Sequence, residues 1–150
     1  VLKATAYARQ TGLLTLADDS GLAVDALGGR PGVLSARYGG PGTTAADRYQ
    51  LLLAELRDVP AERRTARFHC VTALAAPNGE LIGTADGVCE GVIALEPSGE
   101  GGFGYDPVFF LPPYGLTMAQ LDAAEKNRIS HRGRAAAAIA PLLGHALSGG

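Results

Sequence analysis

The 150-residue chain holds 47% hydrophobic and 19% charged residues, a balance that excludes disorder and gives one domain, residues 1–150, material for a core. Its formal net charge of −2 supplies no general attraction for nucleic acid or an anionic membrane, so neither is expected as a partner. No window approaches the roughly 18 apolar residues of a membrane helix, and two cysteines, Cys70 and Cys89, are too few for a disulfide framework; each reads as a small buried hydrophobe in a reducing, cytoplasmic setting.

The chain opens inside an element. Residues 1–10 have the character of mid-helix, with neither an initiating Met nor a capping residue ahead of them, and the expectation is that something is missing upstream. Gly12 is placed to end that helix. The apolar run over residues 13–17 reads as a buried strand that delivers Asp18 and Asp19 to its end. Ser20-Gly21 then suggests a turn, and residues 22–27 read as a second strand. A Gly/Pro-rich loop leads to a helix capped by Thr43 or Thr44, whose apolar positions Tyr49, Leu52, Leu53 and Leu56 recur at three- and four-residue spacing. The basic run over residues 57–67, with Arg63, Arg64 and Arg67, reads as a solvated face beside a strand.

Ala66, Phe68, Cys70, Thr72 and Leu74 alternate with Arg67, His69, Val71 and Ala73 at the period of a sheet. Asn78-Gly79 then predicts a hairpin turn with two positive φ values. Strands over residues 80–85 and 88–95 follow. A short strand over 108–111 closes at Pro112-Pro113, and Thr117 starts a helical pair, residues 118–125 and about 132–147. Pro141 should kink or split the second of these. The pattern is α/β with a substantial antiparallel component.

Three clusters carry chemistry. Asp18-Asp19 offers carboxylates suited to a hard cation that carries phosphates, or to a general base; the competing reading is a turn that closes a strand. Phe103-Gly104-Tyr105-Asp106 offers an aromatic face for a nucleobase and a carboxylate for a ring N–H, against a structural turn whose aromatics face the core. Lys126 with His131-Arg132 brings two permanent cations and a titratable ring close together, suited to phosphate or carbonyl oxygens. Cations beside the start of a helix are locally unfavourable unless an anion comes there. Gly99 to Gly104 satisfies G-x-G-x-x-G, but Pro107 and an extended run follow where a dinucleotide fingerprint needs a helix. No metal-ligand spacing links His69, His131 and His145.

Taken in order, Ala17-Asp18-Asp19-Ser20-Gly21-Leu22, Ser35-Ala36-Arg37-Tyr38, Ala66-Arg67-Phe68-His69-Cys70, Gly101-Gly102-Phe103-Gly104-Tyr105-Asp106-Pro107 and Ile129-Ser130-His131-Arg132-Gly133 closely resemble the inosine/xanthosine triphosphate pyrophosphatases. The resemblance implies an elongated two-lobed, mixed-sheet α/β fold, a homodimer and a Mg²⁺ requirement. It implies hydrolysis of deaminated purine nucleoside triphosphates (dITP/ITP, XTP/dXTP) to the monophosphate plus pyrophosphate. Carried over residue by residue, Asp19 matches the catalytic, metal-contacting acid and Ser20 a substrate contact beside it. Phe103, Gly104, Tyr105 and Asp106 match the base-cradling segment, Lys126 a substrate-binding lysine, and His131-Arg132 the pair that recognises the 6-keto purine. The chain resembles the family without its N-terminal strand, its Thr-x-Asn-x-x-Lys phosphate loop and a metal-binding Glu. That departure motivates the alternative of a catalytically inactive nucleotide-binding or dimerising fragment. A third reading, a pyrophosphatase for modified pyrimidine nucleotides, runs against the His131-Arg132 pair.

Overall fold

A computed structural model describes residues 1–102 and 104–149. Its elements, in chain order, are α1 (Leu2–Thr11), β1 (Thr15–Val24), β2 (Pro31–Gly32), α2 (Ala45–Glu55), β3 (Thr65–Ala75), β4 (Leu81–Ile93), β5 (Phe109–Leu111), β6 (Leu116–Thr117), α3 (Ala123–Ile129) and α4 (His131–Ser148). The strands form one sheet in the order β2-β1-β3-β4-β5-β6, and the pairs β1–β2, β4–β5 and β5–β6 are antiparallel. The α/β class read from the sequence stands.

The chain packs as two compact units. The first comprises Val1–Ser20, His69–Val88 and Ile129–Gly150; the second comprises Gly21–Phe68 and Cys89–Arg128. In the first, Ala4 and Ala8 on one face of α1 form a fully packed cluster with Ala73 and Ala75 of β3, and Ala17 packs against it. Alanines one helical turn apart let a helix axis approach a strand closely, which explains why β3 is buried at consecutive positions where alternation alone predicts exposure. In the second unit, Phe68 and Phe109 meet with ring centroids 4.5 Å apart, and Leu22, Val24, Leu52, Leu56 and Val108 are fully buried.

Several elements follow the sequence reading. Gly12 ends α1 in the left-handed region, with φ 68°. Thr44 caps α2 in a reciprocal box: its hydroxyl accepts from the Asp47 N–H, and the Asp47 carboxylate accepts from the Thr44 N–H.

Other elements differ. The chain does not turn at Ser20-Gly21, and β1 runs unbroken to Val24. Gly21 serves close approach instead: a Cβ there would sit 2.6 Å from the Gly32 carbonyl oxygen, so the β1–β2 ladder needs a residue without a side chain. At the hairpin, no non-glycine residue has positive φ, and Gly79 alone is left-handed at 85°. Pro77 presets the right-handed start of the turn, Gly79 N–H donates to the Ala76 carbonyl, and Ala76 N–H to that of Glu80, a three-residue loop. The two strands expected after it are one, β4. Residues 118–120 form a 3₁₀ turn, and α3 begins only at Ala123. Pro141 lies inside α4, which continues through it.

The basic run also differs from its reading. Arg64 is only 3% exposed and donates to three main-chain carbonyls, those of Leu56, Val59 and Ala94. Burial holds its pKa below the ordinary arginine value. Arg67 does stay at the surface, paired with Asp25 and Glu90.

Candidate functional site

In the first unit the structure joins two segments far apart in sequence. Asp18 and Asp19 lie consecutively on β1, where neighbouring side chains take opposite faces. Both are exposed, and the burial phase of the strand shifts across them: Thr15 and Ala17 are less exposed than Leu16, whereas further on Leu22 and Val24 are the buried positions. Ser130 caps α4 by accepting from the Gly133 N–H at 3.0 Å, which places His131 and Arg132 in its first turn. That turn carries no acidic residue. The anion that its positive end calls for comes from β1: Arg132 Nε lies 3.3 Å from Asp18 Oδ2.

This pairing separates the two carboxylates chemically. Asp18 is engaged by Arg132, and the Cys70 thiol stands 4.0 Å from the same oxygen. Asp19 has no hydrogen bond or ion pair to the described residues and is exposed to incoming water or phosphate. Beside it, the Ser20 hydroxyl is buried with no partner among the described residues. A buried hydroxyl left unpaired is costly, so a polar atom from a ligand or solvent is the natural complement.

In the second unit Asp106, the last residue of the segment expected to cradle the base, opens a 3₁₀ turn, Asp106–Val108, that leads into β5 rather than into a helix. Tyr105 is 5% exposed, and its hydroxyl donates to the Ser35 carbonyl at 2.7 Å. Burial pushes its pKa up to about 12. The ring is therefore a packed element of this unit and not an open stacking face. Asp106 is equally buried and accepts from Lys126 Nζ at 2.5 Å, so the expected ring N–H acceptor meets the expected substrate lysine. Gly104 lies in the turn ahead of them, in the left-handed region at 62°. Phe103, expected to face the base, lies outside the described residues.

One supporting residue had no assigned role from sequence. Ser35 accepts from the Leu22 N–H at 2.8 Å, donates to the Gly32 carbonyl at 2.6 Å and offers its own carbonyl to Tyr105. A serine inside a glycine-rich loop is the signal that could have drawn attention to it, since such hydroxyls stitch loop backbone together.

No group of three or more His, Cys, Asp or Glu among the described residues could hold a metal by itself. His69 pairs with Asp86, while His131 and His145 stand in the first and last turns of α4. A cavity of about 470 Å³ in the first unit is lined by Lys3, Tyr7 and Thr11 of α1 and by the chain from Leu13 to Asp18. It touches the candidate site only at Asp18.

Comparison with known proteins bears on this arrangement. The model of the Ham1 family matches residues 1–142. The chain belongs to the Ham1 family. It is 57% identical over 135 residues to a dITP/XTP pyrophosphatase of Geobacillus kaustophilus, covering 90% of this chain and 66% of that protein. It is 53% identical over 153 residues to a dITP/XTP pyrophosphatase of Methylococcus capsulatus, covering 100% of this chain and 75% of that protein. The solved structure of a HAM1 protein from Coxiella burnetii superposes with a TM-score of 0.86 at 46% identity, covering 99% of this chain and 74% of that one. This Ham1 family member thus spans from 66% to 75% of the length of these relatives.

Proposed function

We propose that the chain hydrolyses deaminated purine nucleoside triphosphates, dITP/ITP and XTP/dXTP, to the monophosphate and pyrophosphate. The observation that carries the reading is the Arg132–Asp18 contact, which joins the carboxylate-bearing strand to the turn that holds His131 and Arg132. Membership of the Ham1 family and relatives named as dITP/XTP pyrophosphatases support it, and they disfavour an inactive fragment.

Asp19 is the acid-base group of this reading. Its carboxylate orients a water and accepts its proton as the water oxygen bonds to the α-phosphorus. The bond from that phosphorus to the bridging oxygen breaks, and pyrophosphate leaves with the electron pair. Asp18 is engaged by Arg132 and is not assigned that role. Ser20, with its buried unpaired hydroxyl, donates to a substrate oxygen.

Mg²⁺ is the cofactor of this proposal. Magnesium is commonly held by one or two carboxylates together with substrate phosphates and water. The exposed Asp19 carboxylate fits that donor set. When bound, the ion offsets charge on the triphosphate.

His131 and Arg132 supply the donors that test the base. A 6-keto oxygen accepts from them, whereas adenine presents an amino group and leaves them unpaired, a mismatch that can reject the wrong base by roughly 10⁴-fold. Lys126, held by Asp106, contacts substrate as a point charge, and the segment from Phe103 to Asp106 cradles the base. The reading further includes a homodimer acting in the cytoplasm, without nucleic-acid or membrane partners. Among the described residues no helix is long and apolar enough to cross a membrane.

Pyrophosphate release measured with ITP, XTP and ATP in Mg²⁺ tests the assignment. Turnover of ITP and XTP with ATP disfavoured by roughly 10³-fold or more is expected. Equal turnover of ATP and ITP contradicts it.

A further inference from the structure

We propose that Gly87 and Arg134 are positioning residues that set the first turn of α4 against β4, and through it the base selectivity assigned above to His131 and Arg132. The inference rests on that assignment.

Gly87 stands in the interior of β4, where a glycine weakens a strand and marks a close backbone approach. Its φ is not left-handed, so no turn requires it. What requires it is α4. A Cβ at Gly87 would lie 2.0 Å from the His131 carbonyl oxygen and 2.4 Å from the Ala135 nitrogen. Both obstacles are backbone, so no rotamer change relieves them. Since real Cβ contacts do not fall below 3.0 Å, the helix start would have to retreat by about 1 Å.

The next residue of the same strand supplies the second anchor. Arg134 Nη1 donates to the Val88 carbonyl at 2.7 Å, tying the fourth residue of α4 to β4. Ala135 is fully buried, as expected of a helix seated flush on the strand. The helix start is thus fixed by what β4 lacks at residue 87 and by what it accepts at residue 88. His131 and Arg132 lie within that clamped turn, and the 3.3 Å contact from Arg132 to Asp18 depends on where it stands. Selectivity built on hydrogen-bond donors needs them placed to a fraction of an ångström, and a 1 Å displacement can cost about 10²-fold.

The test uses the full chain with Gly87→Ala, Arg134→Gln, Arg134→Lys and Arg132→Ala. Two ratios are read: kcat/KM for ITP over that for ATP, and Kd for AMP over that for IMP, alongside thermal midpoints. The ratios should fall about 10²-fold in Gly87→Ala and roughly tenfold in Arg134→Gln, which loses one charge-assisted hydrogen bond. Arg134→Lys, which can still reach the Val88 carbonyl, should restore most of the loss. A merely structural role lowers the midpoint and leaves both ratios unchanged, and that result overturns the proposal. If Gly87→Ala does not fold, the Arg134 pair decides alone. Ratios that collapse in Arg132→Ala but hold in Gly87→Ala and Arg134→Gln refute the positioning role only. Ratios that hold in Arg132→Ala refute the base assignment and this inference with it.

Discussion

Gly102 is the residue on which the second unit's ion pair turns. A Cβ there would sit 2.2 Å from Asp106 Oδ2 and 2.7 Å from Lys126 Nζ, and its φ of 73° already disfavours a side chain. The Gly102→Ala variant should push Lys126 off Asp106, so KM for ITP should rise about tenfold, the cost of a displaced charged hydrogen bond, with kcat changed less. Unchanged KM in a folded variant would contradict a substrate role for Lys126. The residue types of both clusters were legible because Asp, Lys, His and Arg beside glycine and proline announce chemistry on their own. Their partners were not. Arg132 with Asp18, and Asp106 with Lys126, are pairs made by tertiary contact, and no local spacing encodes them. The burial of Tyr105 was equally hidden, since an aromatic in a glycine-rich turn reads the same whether it faces solvent or the Ser35 carbonyl.

At the scale of elements, legibility followed the strength of local signals. α1, α2 and the first part of β3, up to Thr72, were readable because caps and periodicity agree with the packing that they receive. β1 was misread where Ser20-Gly21 signals a turn, since ladder pairing with β2 outweighs the local preference. Arg64 escaped because a basic run looks solvated unless the carbonyls left at the end of a helix are counted. Its three hydrogen bonds tie the end of α2 and the loop after it to the residue following β4. The Arg64→Met variant keeps much of the volume but leaves Leu56, Val59 and Ala94 carbonyls without those donors. Urea unfolding should show a loss of about 3 kcal/mol at unchanged m-value. A loss well below 1 kcal/mol would mean that water replaces the guanidinium there.

For the whole molecule, the shifted groups give the sign of the pH dependence at each end of the scale. Hydrogen bonds from Arg67 to Asp25, from the Thr44 backbone to Asp47 and from Arg128 to Glu125 hold these carboxyls below their ordinary values. A depressed folded pKa stabilises above the unfolded value and is lost as pH falls through the folded one, so stability should decline below about pH 4. At the alkaline end the sign reverses. Tyr105 keeps its proton in the folded chain up to about 12, against an ordinary tyrosine value of 10.0, and Tyr38 is raised as well, first by burial and then by Glu55. Stability contributed by the protonated phenols is complete below pH 10 and falls as pH rises through the folded values. Urea melts from about pH 9 to about pH 11.5 should show that fall, and Tyr105→Phe should flatten it; an unchanged slope would place the alkaline limb elsewhere. The α/β class was legible throughout and the family resemblance implied two lobes, but where the chain divides between its two compact units was not legible, because β1, β3 and β4 each pass through both and no linker composition marks a boundary. The most direct test of the central claim is pyrophosphate release from ITP by the chain and by its Asp19→Asn variant, each at saturating Mg²⁺. The account predicts monophosphate and pyrophosphate as products and a kcat lower by roughly 10²–10⁴-fold in the variant; a near-native rate after that substitution would contradict it.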